Sequence, residues 1–382
     1  MTKKTFFNDA VRKTVRILLP LLAVWWQTLL WPVVAGNIEF SRLNNRDGLT
    51  NSHIQAILKD HKGYMWFGTQ AGLARYDGFR IKTFLYNNAN PKSLPNNLID
   101  EIYQDADNNL WLHTSLGYCI FDYKHEEFDR QPEKRLAGVG IKGGIDKVFI
   151  DSRKNLWVSI YGKGCYFIDA KTRKPFLFYY SNANGGNPTY TLPGDQISHF
   201  SEHKGTVIVS FANGTFCGIN GGEHHILWVN TALAMQFSAS AAYTFADSRS
   251  NYWVLMGSET NIYSAVLKRW FKGVPSFLQA HGIVMEGRAP SFIRDMASTS
   301  DGRLWIATDH DGLLVVDYRK KTCQQYLKDE QNMQSLPDNS LQRIYIDNRD
   351  DIWIGSYKNG VAYFSPSLTR FSTFPLGDIC TR

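Results

Sequence analysis

Four short turns hold the side chains of this sequence that are best suited to binding a ligand. Each turn follows an apolar run and is closed by a glycine, and together they offer aromatic rings, charges and hydrogen-bonding groups without a metal set. Groups of this kind line most small-molecule sites. The candidate contacts are Gln70, Tyr161, Lys163, Asp309, His310, Asp311, Tyr357, Lys358 and Asn359. The competing interpretation is that they are ordinary turn residues in solvent.

Catalytic chemistry has weaker support. An acid/base site needs a convergent set of titratable side chains, and the ten histidines form no cluster beyond the His224-His225 pair. An aspartate does recur six positions before an aromatic residue, at Asp60, Asp105, Asp151, Asp247 and Asp347. Five equivalent carboxylates are better explained as turn residues that accept backbone N–H bonds than as catalysts.

The cysteines indicate packing rather than metal binding or cross-linking. Five are present, an odd number, and no two form a CxxC pair, so the sequence predicts neither a zinc site nor a disulfide scaffold. They are Cys119, Cys165, Cys217, Cys323 and Cys380. Three occupy nearly the same place in consecutive repeats, which predicts a buried, small apolar position.

The elements that position the turns are identified by a recurring tryptophan. It occurs at Trp66, Trp111, Trp157, Trp253, Trp305 and Trp353, with Ile208 at the same place in a fourth unit. The steps between these seven positions are 45, 46, 51, 45, 52 and 48 residues. Repeats of this length are typical of propeller blades.

Each unit contains four strand candidates. In the second unit they are 98–103, 110–114, 118–123 and 127–131. The sequence therefore predicts an all-β fold, a β-propeller of seven blades with four antiparallel strands each. The tryptophans should pack between blades, and a glycine should close the turn after each second strand. Those glycines are Gly72, Gly117, Gly164, Gly214, Gly312 and Gly360.

Ring closure and blade regularity are further expectations. Residues 39–43 resemble the outer strands at 82–86 and 370–374, so the N-terminal strand could complete the seventh blade and leave Thr369–Phe374 as a spare strand. In a complete chain the two strands would compete for one place. Ile208 in place of tryptophan, and the altered fifth unit GSETNIYSA, imply one or two irregular blades.

The first 35 residues are predicted to be an export signal. Five positive charges precede an apolar run from Ile17 to Trp31, and small residues precede Gly36. An uncleaved membrane anchor is the alternative. The predicted organisation is a leader at 1–35, a propeller at 36–376 and the start of a further segment at 377–382.

The net charge gives no support for nucleic-acid binding. The formal charge is +7, but five of the 42 basic and one of the 35 acidic residues lie in the leader, which leaves 37 against 34. A balance this close to neutral, with scattered charges, is not the basic patch that DNA or RNA requires.

Residues 47–84, DGLTNSHIQAILKDHKGYMWFGTQAGLARYDGFRIKTF, resemble the two-component regulator propeller repeat, and such repeats can cover residues 38–374. The resemblance implies the periplasmic sensor region of hybrid histidine kinases of Bacteroidetes, which recognise polysaccharide-derived oligosaccharides and signal across the membrane to control glycan-utilisation genes. It implies an oligosaccharide ligand and no cofactor. It also implies membrane attachment through the leader or a missing C-terminal span, and a homodimer in the full-length sensor.

The resemblance is limited by the parts that it does not cover. We find no counterpart of the kinase core, so we expect a truncated sensor that is not itself an enzyme. Two other functions stay open on the sequence alone. One is a propeller enzyme, such as a lyase acting from the central channel, and the other is a propeller used only for protein contacts.

Overall fold

Thirty strands in seven separate sheets make up most of the chain that the structure describes. The structure is a computed structural model that describes residues 38–180, 187–234 and 242–366. The innermost strands of most neighbouring sheets contact one another, including those of the last and first sheets, and shared core clusters join the third sheet to the fourth and the fifth to the sixth. The seven sheets therefore form a ring. This arrangement confirms the predicted all-β propeller with seven blades. The predicted leader, the strand at 369–374 and the segment at 377–382 lie outside the described residues.

The strands of the first three blades follow the repeat spacing. Strand β1, Ser41–Leu43, precedes a 3-10 turn at Asn45–Asp47. Blade 1 contains β2–β5, at Ile54–Lys59, Met65–Thr69, Gly72–Tyr76 and Ile81–Phe84. Blade 2 contains β6–β9, at Ile99–Gln104, Leu110–Thr114, Gly117–Asp122 and Glu127–Asp129. Helix α1, Pro132–Gly138, precedes blade 3. Blade 3 contains β10–β14, at Ile145–Ile150, Leu156–Ile160, Gly164–Ile168, Pro175–Tyr180 and Thr191–Leu192.

The remaining blades continue the same order. Blade 4 contains β15–β18, at Ile197–His203, Thr206–Phe211, Phe216–Asn220 and His225–Asn230. Blade 5 contains β19–β22, at Ala242–Ala246, Tyr252–Met256, Glu259–Ser264 and Arg269–Lys272, and helix α2 follows at Val274–Ala280. Blade 6 contains β23–β27, at Val284–Glu286, Ile293–Ser298, Leu304–Thr308, Leu313–Asp317 and Thr322–Tyr326. Blade 7 contains β28–β30, at Leu341–Ile346, Ile352–Ser356 and Val361–Phe364.

The irregular blades are not the ones that the sequence predicts. Blades 4 and 5, which carry Ile208 and the altered fifth unit, each form a complete four-stranded sheet. Blades 3 and 6 instead gain a fifth strand, because β14 pairs in parallel with β13 and β23 pairs in parallel with β27. The long connection after blade 5, residues 274–291, supplies β23 as well as α2, and the ring centroid of Phe277 in α2 lies 5.3 Å from that of Trp253. Much of this connection is therefore packed against the propeller.

The N-terminal strand closes the ring, as predicted. β1 pairs antiparallel with β30, and Leu43 lies opposite Val361. The Arg42 guanidinium strengthens this contact by donating hydrogen bonds to the backbone oxygens of Ser335 and Leu336, at 2.8 and 3.1 Å. Blade 7 thus takes its fourth strand from the opposite end of the propeller sequence.

The recurring aspartate fixes both a turn and the tryptophan. In blade 1, the Asp60 carboxylate accepts backbone N–H bonds from Lys62 and Tyr64, at 2.8 and 3.0 Å, as predicted. Its second oxygen accepts the Trp66 indole N–H at 2.7 Å, which the spacing did not predict. The same indole bond joins Trp111 to Asp105, Trp157 to Asp151 and Trp253 to Asp247.

The tryptophans pack between blades, as expected for one bulky aromatic residue per unit. Trp66 is fully buried, and its ring centroid lies 5.1 Å from that of Phe121 in the next blade. The indole hydrogen bond, in contrast, is absent from blades 6 and 7, where the indole nitrogens of Trp305 and Trp353 have no partner among the described residues. In blade 7 the aspartate, Asp347, instead forms an ion pair with Lys59 of blade 1.

Two other predictions about the scaffold are confirmed. The six turn glycines have φ between +69° and +124°. Cys119, Cys165, Cys217 and Cys323 are free and buried, while Cys380 lies outside the described residues. Burial raises the pKa of Cys119 and of Cys323 to about 12, which keeps these thiols protonated and inert at neutral pH. No helix in the described part of the chain has the length and apolar character needed to span a membrane.

Candidate functional site

A β-bulge near the start of six of the seven innermost strands shapes the central channel. In β6 the pairing with β7 shifts between Ile99 and Glu101, and the strands that begin blades 1, 3, 4, 6 and 7 shift at the equivalent place. A bulge re-aims side chains and interrupts the alternation of a strand. Consecutive residues such as Asp100 and Glu101 therefore both line the channel.

The channel interior is a polar chamber of about 310 Å³. Every blade contributes to its wall through its innermost strand. Its titratable lining consists of Asp100, Glu101, His113, Lys147, His199, Asp295 and Arg343, together with Tyr103 and Tyr243. Acids, bases and aromatic rings thus converge in one cavity, although they are far apart in the sequence.

A second cavity of about 470 Å³ forms the mouth of the channel. It lies at the face of the second-to-third-strand turns, because its wall includes Gly257 from the β20–β21 turn and Ile293 at the start of β24. The mouth and the inner chamber share Asp100, Tyr243 and Arg343. A ligand bound at the mouth can therefore reach the chamber.

The wall that the mouth and the chamber share contains an exposed aromatic ring. Tyr243 remains 48% exposed, and its ring centroid lies 4.9 Å from that of His199. The Arg294 guanidinium, also at the mouth, lies over the Phe292 ring at 4.5 Å and forms an ion pair with Asp309. These contacts preorganise both side chains.

Two histidines of the chamber have shifted pKa values. Burial lowers the pKa of His199 to about 3, and the nearby Arg343 and Lys147 charges act in the same direction, so its imidazole is neutral. Burial also acts to lower the pKa of His113, but the Asp100 carboxylate, 2.6 Å from Nδ1, more than offsets this and raises it above 6.5. The His113–Asp100 pair therefore carries a proton more readily than an isolated histidine.

We expect Asp100→Asn to bring the pKa of His113 below 6.5, because burial and the Lys147 charge would then dominate. A histidine pKa that is raised by folding stabilises the native state below the unfolded value, and the contribution is lost as the pH rises through the folded pKa. An NMR titration of the His113 ring measures the shift directly. Asp122→Asn, which removes the partner of exposed His125, is the matched control and should leave His113 unchanged. A His113 pKa that stays above 6.5 in Asp100→Asn would contradict this assignment.

None of the nine sequence-predicted contacts lines either cavity, but several lie at the mouth's rim. Tyr357 stacks on His53 with centroids 4.4 Å apart, and the same imidazole hydrogen-bonds the Gln70 side chain. Burial lowers the pKa of His53, the Gln70 bond opposes this, and the Arg294 charge lowers it further. His53 therefore brings together Gln70 and Tyr357, which lie in turns far apart in the sequence. His53 itself lies outside both turns.

The other predicted contacts do not belong to this cluster around His53. Asp309 reaches the mouth by its ion pair with Arg294, while Asp311 and Asp338 hold backbone amides of Ser291 and Lys358. Asn359 also donates to Asp338, and His310 is exposed in its turn. Tyr161 is 69% exposed on blade 3, and Lys163 donates to the Lys142 carbonyl there.

The channel residues have a sequence signal that the turn analysis missed. The innermost strands read IDEI, ISHF and LQRI at 99–102, 197–200 and 341–344. Two adjacent polar residues inside an apolar strand break the period of two, and the break marks the bulge. Among the described residues, no group of three or more His, Cys, Asp or Glu side chains could hold a metal ion.

Comparison with known families gives four matches, each running from an inter-blade connection through the innermost strand to the turn after the second strand. The matched model is the two component regulator propeller, at residues 48–71, 93–115, 287–310 and 335–358. Four segments of this chain match two-component regulator propeller repeats. The matched repeats lie in blades 1, 2, 6 and 7, and include the start of the bulged strands that line the channel.

Solved structures share the fold of this repeat protein. The extracellular domain of the putative hybrid two-component system BT3049 from B. thetaiotaomicron is 20% identical, with a TM-score of 0.60 over 86% of this chain and 42% of its own. That of BT4673 from the same organism is 21% identical, with a TM-score of 0.61 over 86% and 40%. The WD40 propeller domain of Doa1 is 9% identical, with a TM-score of 0.53 over 88% and 100%. A comparison with curated proteins gives no match.

This chain therefore spans about two fifths of the length of the two B. thetaiotaomicron extracellular domains. Identity near 20% establishes the shared fold.

Proposed function

We propose that this chain is a periplasmic sensor propeller of a two-component system, which binds a polysaccharide-derived oligosaccharide and controls glycan-utilisation genes by signalling across the membrane. The regulator propeller repeats and the fold shared with extracellular sensor domains support this proposal. Membrane attachment would come through the predicted leader or through a span outside this chain. The full-length sensor would act as a homodimer.

The observation that carries the proposal is the composition of the channel mouth. It sets the exposed Tyr243 ring beside two arginines, Arg294 and Arg343, and two amides, Gln55 and Gln342. A sugar presents an apolar ring face and a rim of hydroxyl groups, and a site with one aromatic surface and several fixed polar groups matches both. The mouth is also open to solvent on the side of the variable turns, which suits an oligomer that extends beyond the cavity.

Calorimetry with the full chain and a panel of plant and host polysaccharide fragments tests this function. We expect saturable binding of at least one oligosaccharide, without product formation in chromatography of the same mixtures. Release of a new sugar product would favour the alternative, a lyase that uses the His113–Asp100 pair in the channel. Absence of binding by every fragment would contradict the sensor proposal.

The lining of the mouth predicts which aromatic residue contributes to oligosaccharide affinity. Tyr243→Ala should weaken oligosaccharide binding by about tenfold or more, since one aromatic contact contributes on the order of 1 kcal/mol beyond its area. Phe79 provides a matched control, because it is 94% exposed but lies in the β4–β5 turn at the other end of the blades. Equal affinities of Tyr243→Ala and Phe79→Ala would place the site elsewhere.

A further inference from the structure

We propose that the inner chamber of the channel is a subsite for a carboxylate, so that the oligosaccharide recognised by this propeller is acidic. The inference rests on the proposed function and names the class of its ligand. It follows from two cations, Lys147 and Arg343, which line the chamber and form no ion pair with any of the described residues.

The two cations have unused hydrogen-bond donors. In the described part of the chain, the Lys147 ammonium has no hydrogen-bond or ion-pair partner, although its residue is half-buried in the chamber wall. Arg343 donates only from Nε, to the Gln55 carbonyl at 2.7 Å, and this bond fixes the guanidinium plane. Cations that leave bulk solvent are normally paired, so these two are poised for an anion that comes from outside.

The acids of the chamber have partners of their own. Asp100 is paired with His113, and the Glu101 carboxylate accepts the Tyr118 hydroxyl at 2.9 Å. Asp295 accepts the backbone amides of Met296 and Ile344, at 2.8 and 3.0 Å. None of these three carboxylates lies within 4.0 Å of Lys147 or Arg343 in an ion pair. The chamber therefore offers donors to a ligand more readily than acceptors.

The same acids limit which anion fits. The three carboxylates outnumber the two cations, so a group with a charge of two, such as a phosphate, would meet repulsion from Asp295 and Asp100. A single carboxylate matches the fork of a guanidinium and adds only one negative charge. His199 adds no positive charge, because burial, helped by the charges of the two cations, lowers its pKa and keeps the imidazole neutral.

The arrangement of the mouth and the chamber suits a sugar that carries a carboxylate. Tyr243 and Arg343 line both cavities, so a sugar ring against the tyrosine has its substituents at the entrance to the chamber. Lys147 occupies the position in β10 that Arg343 occupies in β28, directly after the bulge, and it lines the chamber but not the mouth. The two cations thus face the chamber from different blades and can both approach a carboxylate that points inward.

The test compares pairs of probes that differ only in the carboxylate. Di- and trisaccharides of galacturonate and glucuronate are titrated into the full chain by calorimetry, beside the same sugars with each carboxyl reduced to a primary alcohol. We expect an acidic member to bind about tenfold tighter or more than its reduced partner, the size of one charge-assisted pair. Arg343→Gln should abolish this preference, and Lys147→Gln should reduce it.

Matched variants separate recognition from folding. Arg343→Lys keeps a point charge and should retain part of the preference, whereas Lys171→Gln removes an exposed cation of the β12–β13 turn, at the opposite end of blade 3, and should leave it unchanged. Circular dichroism confirms that each variant is folded. Equal binding of acidic and reduced sugars, or a preference that survives Arg343→Gln, overturns the carboxylate subsite while the sensor function stands. Failure of every acidic and neutral sugar to bind overturns both.

Discussion

Replacing Trp157 with alanine is expected to lower the free energy of unfolding by about 3–5 kcal/mol, the usual cost of deleting a large buried aromatic side chain. Trp157 is fully buried, and its ring lies 5.0 Å from Phe167 and 6.0 Å from Phe178 of the same blade. It also shares a core cluster with Val207 and Val209 of blade 4. The cavity would therefore open between two blades, where neighbouring sheets cannot easily collapse into it.

Urea unfolding followed by circular dichroism measures this effect without relying on tryptophan fluorescence. Trp157→Phe is the matched control, because it keeps most of the ring and loses the indole bond to Asp151. That aspartate retains the Asn155 side-chain amide as a donor at 2.9 Å, so the control should cost only about 1–2 kcal/mol. If Trp157→Ala costs no more than Trp157→Phe, the residue is not the wedge between blades that we infer.

Gly360→Ala should produce the second large loss of stability, because it acts on the closure of the ring. Gly360 has φ of +82°, and a Cβ atom there would lie 2.1 Å from the Leu43 carbonyl oxygen of β1. The strand that closes blade 7 would have to move. Left-handed backbone alone costs a non-glycine residue about 1–2 kcal/mol, and we expect the clash to add about 1–3 kcal/mol.

Gly117→Ala separates the two effects. Gly117 closes the equivalent turn of blade 2 with φ of +102°, but a Cβ atom there would meet nothing within 4 Å. This control should show the backbone cost alone. Hydrogen exchange should rise at the amides of β1 and β30 in Gly360→Ala and stay unchanged there in Gly117→Ala. Equal costs with unchanged exchange would contradict the role of β1 as the closing strand.

The fold was largely predictable because its signals are local and repeated. The spacing from Trp66 to Trp353, and the glycine after each second strand, depend only on the turns and pairing within one blade. The closing strand was also predictable, because residues 39–43 resemble other outer strands. The hydrogen bond from the Trp66 indole to Asp60 was not predicted, although the two residues recur at a constant spacing. The sequence analysis treated the aspartate only as a turn residue.

The candidate site was less predictable, because it forms from strands that are distant in sequence. Lys147, Asp295 and Arg343 come from three blades, and no local pattern indicates that they share a cavity. The bulges, which place Asp100 and Glu101 on the same wall, could be read only as a break in alternation. The turn residues Gln70 and Tyr357 were recognisable as candidates, but His53, which joins them, precedes a strand and carries no turn signal.

The pairing of β1 with β30 also determines the order in which this propeller can be completed. Arg42 contacts Ser335, 293 positions later in the chain, whereas the antiparallel pairs in blades 1 to 6 join strands that are close in sequence. During synthesis, each of those blades can form soon after its own residues emerge, since local contacts need little loop closure. β1 is made before the strands of all seven blades and must wait for β30, the last of the described strands. The joining of the two ends is therefore the step at which a nascent chain is most exposed to mispairing with another edge strand.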